Sequence, residues 1–307
     1  MRKRILLASL VVAGVIVACV GDEAAVNVNV NADGGDATPG ADAPATDAPV
    51  TPNDSGTDAT PTEDAGPDPT SNGMVLWLRA DKGVSVTTGK VTRWTDHSPK
   101  KNDAVSTAGP QLLTATDGQL PLPSLTFGKQ DIMDLETTSG LDDFSNGMTM
   151  MVVSKLTDTG SGNSRFWVRL GSSDTAADPT AITMFNLRSP SQSDDWGVAT
   201  GSASGNIVQS AGNAGPATIH LYTATVSAGN GFADPTVTIF RDGAMVVSKT
   251  TPAPTVTART KSHIGGIASV AESAIGLYGE ILVYARELPA NEQKEVTTYL
   301  RSRWKFQ

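Results

Sequence analysis

Cysteine is all but absent from this chain. Cys19 is the only one in 307 residues, so no internal disulfide can staple a fold, and any domain must be held by its core. Aromatic residues make up 5% of the sequence, which leaves few rings for a ligand once a core is filled. Long apolar runs are scarce as well. The run near the start, Ile5 to Val17, is thirteen residues, short of the roughly 20 that a membrane-spanning helix needs. The chain has no Gly-x-Ser-x-Gly elbow, no Gly-x4-Gly-Lys-Ser/Thr phosphate loop, no helical His-Glu-x-x-His pair and no EF-hand spacing of aspartates. Those absences remove the sequence signatures of serine hydrolases, P-loop NTPases, zinc peptidases and EF-hand calcium sensors.

What is present begins at the N-terminus. Arg2, Lys3 and Arg4 precede the apolar run and small residues close it, the layout of a secretory leader. Ile16-Val17-Ala18-Cys19 resembles a bacterial lipobox. The resemblance implies a signal peptide over residues 1–18, cut before Cys19, with the Cys19 thiol lipidated and the new N-terminus acylated. An ordinary signal peptide whose apolar run ends in cysteine is the alternative. A lone thiol in an exported protein has no disulfide partner and so needs another use, which favours lipidation. Several acyl chains anchor stably, because about 0.8 kcal/mol accrues per buried CH2. Val20 follows the cysteine, where an Asp would resemble an inner-membrane retention signal, so the expected location is the outer membrane.

Residues 19–72 form the second part. Beyond the cysteine they are Ala, Asp, Thr, Pro, Gly and Asn with a few Val, and they hold no aromatic residue, Lys or Arg. Such a composition cannot bury enough apolar surface to offset the entropy of ordering, so a disordered tether is expected. Its eleven carboxylates repel one another and its prolines stiffen it. The tether would reach on the order of 160 Å stretched and roughly 40 Å as a coil. The whole chain carries −9, but the leader is +3 and the tether −11, and the remaining 20 basic and 21 acidic residues nearly balance. The acidity belongs to the tether. The rest has no basic field for nucleic acid.

Residues 73–307 are the size of one all-β sandwich. Short alternating runs rich in Val, Ile, Thr and aromatics are separated by Gly, Pro, Asn or Asp. They predict strands at Met74–Arg79, Lys90–Thr95, Ser124–Phe127, Met148–Lys155, Arg165–Leu170, Ile182–Leu187, Asp195–Thr200, Thr218–Val226, Thr236–Arg241, Ala244–Lys249, Lys261–Ile264 and Ala274–Tyr284. Asp242-Gly243 tolerates the positive φ of a type I′ turn and predicts a tight hairpin. Alternation in the last strand sets Ile275, Leu277, Ile281 and Val283 on one core face. After Pro289 the period becomes helical, with Val296, Tyr299, Leu300 and Trp304 on one stripe and Arg301, Arg303 and Lys305 suiting the negative C-terminal end. Trp304 reads as a plug that docks this helix on the sandwich.

Leu76-Trp77-Leu78-Arg79-Ala80-Asp81, then Arg93-Trp94-Thr95-Asp96-His97-Ser98 and Asn102-Asp103-Ala104, resemble the opening of laminin-G-like, concanavalin A-like jelly-roll domains of bacterial surface proteins. His220-Leu221-Tyr222, Phe240-Arg241-Asp242-Gly243, Ile264-Gly265-Gly266 and Gly279-Glu280-Ile281-Leu282-Val283-Tyr284 are similar to that family's later strands, and Leu288 with the helix to Trp304 to its close. The matches span nearly the whole domain in order. They imply an all-β, two-sheet antiparallel jelly-roll sandwich with a C-terminal helix. Ser98-Pro99-Lys100-Lys101 departs from the glycine-rich turn common in the family, so a ligand role is not inherited through that loop.

Candidate chemistry is sparse. Asp81, Asp96, Asn102 and Asp103 are oxygen-bearing residues near the opening strands, and relatives of this fold often bind calcium at the sheet rim. The competing account is that Asp96 and Asn102 cap their own turn. In Asp131-Ile132-Met133-Asp134-Leu135-Glu136, only Asp134 and Glu136 share a strand face. Retaining glycosidases hold two carboxyls about 5 Å apart, but the Glu-x-Asp-x-x-Glu pattern of jelly-roll glycosidases is missing. His97, His220 and His263 are far apart in sequence. Trp77, Trp94, Trp167 and Trp304 sit in apolar patterns that read as core. Trp196, among polar neighbours, is the one candidate platform for a sugar face. The expected function is a non-catalytic surface module binding a glycan or an extracellular protein; a carbohydrate-active enzyme or a structural envelope protein are the alternatives.

Overall fold

The run Met148 to Leu156 carries apolar side chains at both parities, and a strand with that pattern must be buried on both faces. It becomes the middle of the structure. The computed structural model describes residues 67–157, 162–175, 178–189, 192–201, 206–210, 218–228, 234–266 and 274–307. The leader, Cys19 and the tether up to residue 66 lie outside the described residues. In chain order the elements are β1 (Met74–Arg79), β2 (Val84–Thr87), β3 (Lys90–Trp94), β4 (Ala104–Val105), β5 (Gln111–Leu113), the single helical turn α1 (Ala115–Gly118), β6 (Ser124–Phe127), β7 (Ile132–Leu135) and β8 (Met148–Leu156). There follow β9 (Gly162–Leu170), β10 (Ile182–Ser189), β11 (Gln192–Ala199), β12 (Ile207–Gln209), β13 (Ile219–Val226), β14 (Thr236–Arg241), β15 (Ala244–Thr250), β16 (His263–Gly265), β17 (Gly276–Tyr284) and α2 (Ala290–Trp304).

These strands make two antiparallel sheets packed as a sandwich. The first runs β15-β14-β13-β8-β17-β6-β5, with β1 beside β17; the second runs β12-β11-β10-β9-β16-β7-β4-β3-β2. Between them lies a core that includes Trp94, Met150, Val152, Trp167, Tyr222 and Ile281. A second apolar layer lies on the other face of the first sheet, where Trp77, Met151, Val153, Leu221 and Leu282 meet Val296, Tyr299, Leu300 and Trp304 of α2. That second layer is why β8 shows no alternation. The hairpin expected at Asp242-Gly243 joins β14 to β15, with φ of 55° and 88° at its two central residues.

One strand departs from simple alternation. The pairing of β17 with β8 skips a residue between Tyr278 and Glu280, and such a bulge reverses which face each later side chain takes. Tyr278, Ile281 and Val283 face the inter-sheet core, while Leu277 faces the helix layer. Leu277 therefore does not share the face of Ile281 and Val283, as strict alternation predicts. The bulge coincides with a change of neighbour, because β6 pairs with Gly276 to Tyr278 and β1 with Glu280 to Tyr284. At Gly279 a Cβ would sit 2.7 Å from the Trp304 ring, so only glycine lets the helix seat this closely.

Trp304 is the expected plug, fully buried. Its Nε1 donates to Glu280 Oε2 at 2.9 Å. Arg303, one of the cations expected to suit the helix C-terminal end, is buried, donating from Nη2 to Asp81 Oδ2 at 2.6 Å and from Nε to Glu280 Oε2 at 3.4 Å.

Candidate functional site

Register places a single row of residues across the outward face of the second sheet. Ser85 pairs with Arg93, Arg93 with Val105, Val105 with Asp134, Asp134 with His263, and His263 with Arg169. Asp134 and His263 thus sit directly opposite each other across strands, close enough for their side chains to pair. The His263 side chain is only 5% exposed, while Asp134 is 68% exposed. His263 Nδ1 lies 2.7 Å from Asp134 Oδ1 and its Nε2 lies 2.8 Å from Asp174 Oδ1. Beside this cluster, Arg93 grips Glu136 with two parallel bonds of 2.7 and 2.8 Å, and also donates to Asp103. The hydrogen bonds that Arg93 donates to Glu136 and Asp103 raise its pKa. Asp134 and Glu136 do share one face, as alternation predicted, but each is tied to a different partner, Asp134 to His263 and Glu136 to Arg93.

Asp174 is held in this row by a clamp one strand away. Arg169, buried on β9, donates to the carbonyls of Ser173 at 2.8 Å and Thr175 at 2.7 Å. Asp178 collects backbone N–H bonds from Ser172, Ser173 and Thr180 at 2.8, 3.0 and 2.9 Å, and the Thr180 hydroxyl at 2.7 Å. Burial alone would push the Asp178 carboxyl up; the hydrogen bonds outweigh it and bring the pKa down to about 2. The result is a row of half-exposed carboxylates whose positions are fixed from below by Arg93, His263 and Arg169 through its loop. Groups fixed in this way can accept hydrogen bonds without losing rotamer freedom on binding.

The opening-strand oxygens have other work. Asp96 Oδ1 accepts from the backbone N–H of Trp77 at 2.7 Å and of Ser98 at 2.8 Å, and its Oδ2 from the Ser98 hydroxyl at 2.7 Å and the Asn102 N–H at 2.6 Å. Asn102 Nδ2 donates to the carbonyls of Val75 and Ser139, and its Oδ1 accepts from the Thr137 hydroxyl and the Ser139 N–H. Asp103 accepts from the Asp96 N–H at 2.9 Å as well as from Arg93. Asp81 accepts from Arg79 and Arg303; burial would raise its pKa, and the two guanidinium groups outweigh that and lower it. Every one of these oxygens already faces protein donors, so calcium does not fit without displacing them. Among the described residues no group of three or more His, Cys, Asp or Glu is placed to hold a metal ion.

Trp196 is not a platform. It is fully buried, with its ring edge-on to Trp167 at 6.5 Å and to Tyr222 at 5.1 Å, because its parity on β11 turns it inward. The three histidines have separate partners: His97 approaches the Lys82 carbonyl, His220 lies between Thr218 and Asp242, and His263 joins the carboxylate row. Sequence reasoning named His263 but not its partners, which stand 129 and 89 positions away where no local pattern signals them. It also missed Glu280, which is fully buried and accepts from Trp77 Nε1 at 2.7 Å and the Tyr299 hydroxyl at 3.2 Å besides Trp304 and Arg303. Burial raises the Glu280 pKa against the pull of these donors.

No protein-family model matches the chain, and no curated protein matches its sequence. Solved structures share its fold. A Trypanosoma rangeli sialidase in complex with sialic acid superposes with a TM-score of 0.51 at 14% identity, over 76% of this chain and 33% of that one. The binding domain of botulinum neurotoxin serotype D/C VPI 5993 gives 0.51 at 9% identity, over 75% of this chain and 53% of that one. The serotype D binding domain gives 0.51 at 12%, over 74% and 51%. This chain spans between a third and about half of those chains, and the likeness is one of fold.

Proposed function

We propose that the chain is a lipid-anchored surface protein of the bacterial envelope whose sandwich recognises a glycan or an extracellular protein without catalysing a reaction. The outward face of the second sheet carries this reading. Asp134 and Glu136 are exposed and are held by His263 and Arg93 in turn, while Asp174 pairs with Lys261 beside them. Such a row suits hydrogen bonding to sugar hydroxyls or to the basic groups of a protein surface. The fold's neighbours lend support: one is a sialidase holding sialic acid, and others are named as binding domains. The anchor rests on Cys19 and its lipobox, with the outer membrane as the proposed site.

The test is retention of the purified chain on glycan and cell-surface-protein arrays, repeated with Asp134→Asn and Glu136→Gln. Loss of a ligand in these variants would support the reading; a chain that binds nothing on either array would end it. Mass spectrometry of the processed protein should find an acylated Cys19 at the N-terminus, and an unmodified thiol would remove the anchor. A catalytic reading keeps one observation in its favour, the two carboxylates Asp134 on β7 and Glu136 just past its end. New reducing ends from a polysaccharide, lost in the same two variants, would install it instead.

A further inference from the structure

The outer face of the first sheet is only partly covered by α2. The apolar layer under the helix draws on β1, β8, β13 and β17, and the outer face continues past it onto β14 and β15. There the register lines up hydroxyls. Tyr284 pairs with Thr149, Thr149 with Thr225, Thr225 with Thr238, and Thr238 with Ser248. Most of this ladder is spoken for: Thr149 Oγ1 accepts from the Leu288 N–H at 2.9 Å, and the Thr238 and Ser248 hydroxyls bond at 2.8 Å. Thr225 stands between them, 3% exposed, and its hydroxyl has no protein partner among the described residues.

Thr225 opens onto a groove of about 610 Å³. Its floor is Thr225, Thr238 and the ring of Phe240, and its wall is the turn with Glu287 and Pro289 leading into Gln293 on the first turn of α2. The wall is fixed by the Leu288 bond to Thr149 and by the ion pair of Arg286 with Glu292. The volume falls in the range of about 300–1,000 Å³ usual for small-molecule sites. One partly exposed aromatic ring faces a hydroxyl, an amide and a carboxylate whose side chains have no hydrogen-bond partner among the described residues. An aromatic face takes the C–H side of a pyranose, and an amide and a carboxylate each grip a pair of neighbouring hydroxyls. Among the described residues Glu287 is the only charged group lining the groove, and a carboxylate repels an acidic sugar.

We propose that this groove binds a neutral sugar residue of a glycan, with the ring of the sugar on Phe240 and its hydroxyls on Thr225, Glu287 and Gln293. The proposal rests on the recognition reading above and adds to it a second subsite, on the opposite outer face, together with a class of ligand.

The experiment uses the full processed chain on an array of neutral oligosaccharides ending in glucose, galactose, mannose or N-acetylhexosamine, each beside a sialylated or sulfated counterpart. Titration then follows with Phe240→Ala, Gln293→Ala and Glu287→Gln. The expected result is retention of at least one neutral glycan over its acidic counterpart. Each variant should weaken it about tenfold or more, the scale of one lost hydrogen bond to a buried ligand. Gln293→Ala and Glu287→Gln sit at the surface and should leave the melting temperature unchanged, so they decide the matter if Phe240→Ala unfolds the domain. Glycan or protein binding that survives both surface variants overturns the groove and leaves the recognition reading standing. Preference for the acidic members also overturns the groove. Binding to nothing overturns both.

Discussion

Replacing Glu280 by glutamine tests how the C-terminal helix is held. Each carboxylate oxygen has two donors: Trp77 Nε1 and the Tyr299 hydroxyl on Oε1, Trp304 Nε1 and Arg303 on Oε2. A glutamine must put an NH2 group in one of those positions, and either choice sets N–H against a buried indole N–H. The variant loses a charge-assisted bond of about 1.5–3 kcal/mol and leaves one indole unsatisfied at about 1–3 kcal/mol. Relief of burying a charge works the other way, since burial already raises the Glu280 pKa. The net loss should be about 3 kcal/mol, toward the lower end for broken buried pairs. For a domain of this size that is a fall in Tm of roughly 10 °C. Urea unfolding followed by tryptophan fluorescence reads it, since Trp77 and Trp304 both report on the site. In a Trp304→Phe background the offending donor is gone, so Glu280→Gln should cost about 1–2 kcal/mol less. Unchanged stability in the single variant, or strict additivity in the cycle, would refute the account of Glu280 as the acceptor that docks α2.

Two further outcomes follow from the clamps. The Asp178 pKa lies at about 2 against an ordinary 3.8, so its bonds stabilise the fold in full above about pH 4–5, and this is lost as the pH falls through 2; at about 1.36 kcal/mol per pH unit the amount is about 2 kcal/mol. Asp178→Asn should lower the Tm by a few degrees at pH 7 and flatten the acid limb of the stability curve between pH 4 and 2, and an unaltered acid limb would contradict it. Because Asp81, Asp96, Asn102 and Asp103 all face protein donors, melts in calcium and then in EDTA should coincide; a clear upward shift with calcium would mean that an ion displaces those bonds.

The fold was largely legible from the chain. Period-two runs between Gly, Pro and Asp-Gly punctuation located the long strands, and the stripe of Val296, Tyr299, Leu300 and Trp304 located the helix, because burying one face imposes those periods on the sequence. Several of the shortest strands, β2, β4, β5, β7 and β12, were absent from the predicted set, since two to four residues show little period, although β6 and β16 are as short and were found. Trp196 misled for a different reason: its polar neighbours suggested an exposed strand, yet the adjacent Asp195 is itself buried, so neighbour polarity says nothing of where the ring goes.

Composition and local spacing by themselves determined an acidic N-terminal segment without aromatic or basic residues after Cys19, a nearly neutral β domain and the absence of familiar catalytic motifs. Tertiary structure alone decided what the polar residues do. A bulge at Gly279 turned Glu280 toward the helix and Leu277 away from Ile281, and a bulge adds one residue that no pattern announces. Strand order brought His263 to Asp134 and Asp174, and aligned Thr225 with Thr149 and Thr238. Local sequence records which face of a strand is apolar, whereas the partners of a polar side chain are set by which strands become neighbours, and that is fixed only when the sheets close.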